Sequence, residues 1–74
     1  MPRIEGKLLI ENKIQELRTS KGLTQQELAE ALEVTRATVV ALERGSYNPS
    51  LDLAFRISKF FKSGIETIFK AKEI

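Results

Sequence analysis

Arg36 and Arg44, with Ala37, Val40 and Ala41 between them, recur at one- and three-residue steps. On a helix that spacing gathers them on one face. A guanidinium can fork onto the two acceptors of a guanine, and small apolar side chains can only touch a thymine methyl. Around them stand short polar side chains that can hold phosphate oxygens: Gln25 and Thr35 before the face, and Ser46, Tyr47 and Asn48 after it. Gln25 opens a helix, where free backbone amides already favour an anion. Together these residues could grip a duplex backbone and read base edges, the first fixing register and the second carrying sequence information. Other chemistries lack their parts. The chain has no cysteine and no histidine, so thiolate chemistry and the commonest metal ligand and general base are missing. Glu27, Glu30 and Glu33 form carboxylate pairs three apart, but a solvated helix face explains them better than an acid–base site. Asn48-Pro-Ser50 is no glycosylation acceptor because proline intervenes. No catalytic residue, metal, cofactor or small-molecule site is expected.

The elements that must position this face are marked by start and stop signals. Thr24-Gln-Gln-Glu27 is a capping box, and Leu23 with Leu28 forms a hydrophobic staple. Thr35 caps the next helix, with Val34 and Val39 as a second staple, and Gly45 closes it. Helices two and three therefore lie within about residues 24–44. Two short helices joined by a tight turn are the helix-turn-helix arrangement that sets its second helix in a DNA major groove. Ala29 is the small residue such a crossing needs. Helix one spans about Glu11 to Lys21, with Ile10, Ile14 and Leu17 on one face and Gly22 as its stop. Ser50 caps helix four, which ends near Phe61, and a short helix five covers about Ile65 to Phe69 after Gly64. Residues 1–10 form an N-terminal arm. Within it Ile4-Glu-Gly-Lys7 is close to a protease-site linker, native or vector-derived, and Leu8–Ile10 read as a short strand. Residues 11–74 form the domain.

The chain has 74 residues and a formal charge of +2, with a pI near 9.2. That is one small domain with a limited core, for which self-association is a common remedy. The basic balance suits a polyanion without demanding one. No apolar run approaches a membrane span, and no secretory leader is evident. The expectation is a cytoplasmic protein of a prokaryotic cell or phage.

From Lys13 to Phe69 the chain resembles the lambda-repressor/Cro-type, or XRE, helix-turn-helix family. The residues that carry the resemblance are Ile14-Gln-Glu-Leu-Arg18, Gly22-Leu-Thr-Gln-Gln-Glu-Leu-Ala29, Val34-Thr-Arg-Ala-Thr38, Leu42-Glu-Arg-Gly45, Tyr47-Asn-Pro-Ser-Leu51 and Ile65-Glu-Thr-Ile-Phe69. The resemblance implies an all-α, five-helix domain that binds operator DNA as a homodimer. It implies a phosphate contact for Gln25, leading base-contact positions for Arg36 and Ala37, and a structural ion pair between Arg18 and Glu43. Short members with a terminal β-ribbon suggest pairing of Leu8–Glu11 with Ile68–Lys72. Two positions depart from the pattern. Glu33 stands where the turn usually has glycine, and Val40 and Ala41 stand where polar readers are common. The second departure favours shape readout or a T-rich site.

Helix four is apolar almost all round, with Leu51, Leu53, Ala54, Phe55, Ile57, Phe60 and Phe61. One small core cannot easily take all of these. Phe60 first and Phe55 next are therefore expected to meet a second copy. The sequence predicts a DNA-binding regulator, a repressor that occludes a promoter by binding a pseudo-palindromic operator with helix three in the major groove. The rival is an antitoxin-like module that masks a protein partner, with DNA binding secondary.

Overall fold

Local capping lays out the helices. The computed structural model describes residues 6–73. Its elements run β1 (Leu8–Asn12), α1 (Ile14–Ser20), α2 (Gln25–Leu32), α3 (Arg36–Arg44), α4 (Leu51–Phe61), α5 (Ile65–Ile68) and β2 (Phe69–Glu73). Thr24 Oγ1 accepts from the Glu27 amide at 3.0 Å and Glu27 Oε1 accepts from the Thr24 amide at 2.8 Å, which closes the capping box. Thr35 and Ser50 cap α3 and α4 through the amides of Thr38 and Leu53, each at 3.2 Å. Each such cap contributes about 1 kcal/mol by satisfying an amide that the helix cannot.

The helices wrap one core. Ile14, Leu28, Leu32, Val39, Leu42, Ile57 and Ile68 are its largest fully buried side chains. Burial of each contributes about 1.5–3 kcal/mol relative to exposure. Ala29 is fully buried, and its carbonyl accepts from the Val34 amide at 2.9 Å across the α2–α3 turn. The first and last elements pair antiparallel as a two-stranded ribbon, with Leu8 opposite Glu73, Ile10 opposite Ala71 and Asn12 opposite Phe69. The result is a helical domain with five helices and one small sheet.

Three boundaries differ from the sequence reading. Helix one starts at Ile14 rather than Glu11, because β1 continues through Asn12. Asn12 then uses both ends of its amide: Oδ1 accepts from the Ile14 amide at 3.0 Å, and Nδ2 donates to the Leu42 carbonyl at 2.9 Å. The ribbon is one residue longer than expected on the β1 side and one residue later on the β2 side. Phe69 leaves α5 with φ −114° and ψ 138°, so it opens β2 instead of closing the helix. The strand runs across the division between arm and domain at residue 10. Of the linker-like Ile4–Lys7 stretch, Ile4 and Glu5 lie outside the described residues.

Two helices end on residues that bear a Cβ in the left-handed region, Glu33 at φ 58° and Lys62 at φ 53°. Gly45 does the same at φ 78° without penalty,. A left-handed non-glycine residue costs roughly 1 kcal/mol. Glu33 is exposed, and among the described residues its side chain makes no hydrogen bond that glycine would forfeit. Glu33→Gly should therefore raise the melting temperature by roughly 4–8 °C in a domain of this size, with DNA affinity unchanged. A calorimetric scan showing no rise would refute strain at this turn.

Phe60 is half-buried and packs against the protein's own core. Its ring meets Phe61 edge-on at 5.0 Å, and Lys21 Nζ stands 5.8 Å from its centroid. Phe60, the first residue expected to meet a second copy, thus has part of its ring against the protein's own core and part still open. Phe55, 50 % exposed, and Leu51, 71 % exposed, are what α4 leaves uncovered.

Candidate nucleic-acid interface

α3 holds its apolar side inward through Val39 and Leu42, both fully buried. The opposite side then carries Arg36, Ala37 and Arg44 exposed, with Val40 and Ala41 half-buried between them. The five residues singled out on this helix thus share its open side. Val40 and Ala41 are less available than the others. The Ala41 carbonyl accepts both the amide and the hydroxyl of Ser46, at 3.1 and 3.3 Å, which turns the chain sharply after α3.

Gln25, at the first position of α2, is half-buried and faces the first turn of α3. Its Oε1 accepts from Arg36 Nη2 at 3.3 Å, and its Nε2 donates to Glu43 Oε1 at 3.1 Å. Glu43 in turn accepts from Arg18 Nε at 2.6 Å and Nη2 at 3.2 Å, while Arg18 Nη1 donates to the Leu23 carbonyl at 2.8 Å. The Arg18 and Glu43 side chains are 11 % and 4 % exposed. A hydrogen-bonded series therefore runs Arg18–Glu43–Gln25–Arg36, from α1 across α3 and α2 to the outer face. It has an electrostatic use. A lone carboxylate beneath this face would repel phosphate, and Arg18 neutralises it. The hydrogen bond to Glu43, with a smaller Coulombic contribution, raises the Arg18 pKa above its ordinary value, although burial opposes the shift,.

Arg36, Val40, Glu43, Arg44 and Gln25 line a shallow concavity of about 280 Å³, together with Gln15 of α1. Gln15, part of the Ile14–Arg18 match, is not among the candidate contact residues named from the sequence. It lies three positions before Arg18, on the same helix face, and that spacing was the available signal. The loop residues Ser46, Tyr47 and Asn48 are exposed at the far end of α3, Tyr47 by 43 %. They stand apart from Gln25 and Thr35, so the polar candidates bracket α3 instead of forming one cluster. The Thr35 hydroxyl is already engaged, as cap to Thr38 and in a 3.0 Å contact with the Thr38 hydroxyl. Among the described residues no three metal-binding side chains come together, and no helix is long and apolar enough to cross a membrane.

A helix whose open side carries two arginines, clamped against a second helix by a capped turn, is the geometry of a helix-turn-helix reader. The family description for helix-turn-helix proteins matches residues 14–68, and the chain belongs to that family. It is a family of DNA-binding transcriptional regulators, not of enzymes. An uncharacterized HTH-type transcriptional regulator of Methanocaldococcus jannaschii is 50 % identical over 60 residues, which is 81 % of this chain and 91 % of that protein. The crystal structure of the restriction-modification controller protein C.AhdI of Aeromonas hydrophila superposes with a TM-score of 0.67 at 33 % identity, over 74 % of this chain and 83 % of that one. The transcriptional regulator VanUg matches over 100 % and 99 % of the two chains with a TM-score of 0.76; at 21 % identity it shows the fold alone. More distant relatives differ in the direction of their control. BcrR of Enterococcus faecalis, a transcriptional activator, is 40 % identical over 84 % of this chain but only 30 % of its own length. RstR, a cryptic-phage repressor of Vibrio cholerae, is 32 % identical over 72 % of this chain and 48 % of its own.

Proposed function

We propose that this regulator binds a pseudo-palindromic operator as a homodimer, with α3 of each copy in the major groove, and represses by covering a promoter. The observation that carries the reading is the placement of Arg36. It is exposed at the first position of α3 and steered by Gln25, whose own position is fixed by the buried Glu43. Arg36 reads guanine, and Ala37, Val40 and Ala41 meet thymine methyls. Gln25, Thr35, Arg44, Ser46, Tyr47 and Asn48 hold phosphates on either side and set the register. Two recognition helices roughly 34 Å apart would meet half-sites one turn apart. Repression is favoured over activation because occlusion needs no surface beyond the dimer. The protein would act in the cytoplasm of a prokaryotic cell, where its operator is.

Selection of bound fragments from a random DNA pool, then titration of the winner against scrambled DNA at two salt concentrations, tests this. An inverted repeat with a specificity ratio of at least about 10³ is expected. Binding that is equal for all sequences and vanishes with modest salt would reduce the interaction to phosphate attraction and end the operator reading. The exposed Leu51 and Phe55 on α4 favour a second reading, an antitoxin-like module that docks a protein through that stripe. It predicts that a tight partner copurifies and that DNA affinity is weak in its absence.

A further inference from the structure

The ribbon has one edge that invites another strand and one that repels it. The Lys13 amide donates to the Ile68 carbonyl at 2.9 Å, extending the β1–β2 register by one pair. Antiparallel pairs alternate between bonded and non-bonded. Leu9 and Glu11 therefore turn their backbone groups toward β2, and Leu8 and Ile10 turn theirs toward the free side of β1. Beside that free side lies an open groove of about 370 Å³, bounded by Leu9–Asn12 and by the end of α3 at Glu43–Gly45. Leu8 and Leu9 are 43 % and 48 % exposed. Native proteins seldom leave such an edge uncovered.

We propose that the β1 edges of two copies pair antiparallel about a dyad at Leu9, giving a continuous sheet in the order β2–β1–β1–β2. This rests on the homodimer reading and states where its axis lies. The side chains select the register. With the dyad at Leu9, Leu8 faces Ile10 of the second copy, Leu9 faces its counterpart, and Lys7 faces Glu11. Apolar meets apolar and charge meets its opposite. Moving the dyad to Ile10 sets Leu9 against Glu11 and Lys7 against Lys13. The outer edge of β2 does not offer the same. A dyad at Lys70, Ala71 or Lys72 opposes lysine to lysine, which is how an edge is kept from pairing. Because β1 and the end of α3 share one groove, such an axis would bring the ends of the two α3 helices toward each other.

The absence of cysteine from the chain makes the test clean. Leu9 would sit in a non-bonded pair on the dyad, where Cα atoms lie about 4.5 Å apart, within the disulfide range of about 4.4–6.8 Å. Leu9→Cys should therefore cross-link to a covalent dimer under mild oxidation, while Phe55→Cys should not. Leu8→Pro removes two of the four interchain backbone hydrogen bonds without touching the β1–β2 ladder. It should weaken dimerisation by about tenfold or more in sedimentation equilibrium with the melting temperature of the monomer unchanged. A wild-type dimer that cross-links through Phe55→Cys and not Leu9→Cys would overturn the β1 axis and leave the homodimer standing. A chain that sediments as a monomer, alone and on its selected DNA, would overturn both.

Discussion

Arg36→Ala should lower affinity for the selected operator by about 10- to 100-fold while leaving affinity for scrambled DNA within about threefold. A guanidinium forked onto guanine is worth about 1–3 kcal/mol of discrimination, and its loss is felt only where that guanine exists. The salt slope on scrambled DNA should fall by no more than about one unit. The neighbouring glutamine makes the prediction sharper. Gln25 holds Arg36 through a 3.3 Å hydrogen bond and is itself held by Glu43, so the arginine enters the groove with part of its freedom already spent. Gln25→Ala should therefore reduce specificity as well as phosphate grip, and the double variant should lose less than the sum of the single losses. Strict additivity would show that the two act on DNA independently, and equal losses on operator and scrambled DNA for Arg36→Ala would remove it from base reading.

The largest effect on stability is expected at Glu43. Its removal by Glu43→Ala strands the guanidinium of Arg18, only 11 % exposed, without its partner. Breaking a buried pair in this way costs on the order of 3 kcal/mol, a large share of the stability of a 74-residue domain,. The melting temperature should fall by roughly 12–24 °C. Replacing both partners, Arg18→Met with Glu43→Leu, should recover most of the loss, because no charge remains to desolvate. It should not recover operator specificity, because Gln25 stays without its anchor. That divergence separates the structural role of the pair from its service to the reader. A drop below about 3 °C for Glu43→Ala would show that Arg18 finds water instead. On the arginine side the pair does not depend on ordinary pH. A raised folded-state pKa contributes fully below the unfolded value and is lost only as pH rises through the folded one,, beyond the range of common buffers.

What could be read from the chain follows the range of the forces involved. The capping box at Thr24 and Glu27, the caps at Thr35 and Ser50 and the stop at Gly45 act within four residues, and each stood in the sequence. Lys62 also ends a helix in the left-handed region, but a lysine carries no mark of it, and Gly64 drew the attention instead. Asn12 was illegible for another reason: the carbonyl it caps belongs to Leu42, thirty positions on. The candidate site shows the same division. Arg36, Ala37 and Arg44 share a face by periodicity alone. The link from Gln25 to Glu43 joins two helices and could not be seen from either. Phe60 and Phe55 look alike as members of an apolar helix, and only packing decides that one ring meets Phe61 while the other stays in solvent.

The ribbon has a consequence for the order in which the molecule assembles. Leu8 and Glu73 are partners although sixty-five positions separate them. Joining such distant segments carries a loop-closure cost that rises with the length of chain between them, and two strands alone return little for it. The five helices have nearer partners and no such debt. The ribbon is thus a clasp expected to close after the helical body and to open before it as the fold begins to fail. Through Asn12 it fastens onto the last turn of α3, so opening the clasp would leave the Leu42 carbonyl at that end without this donor.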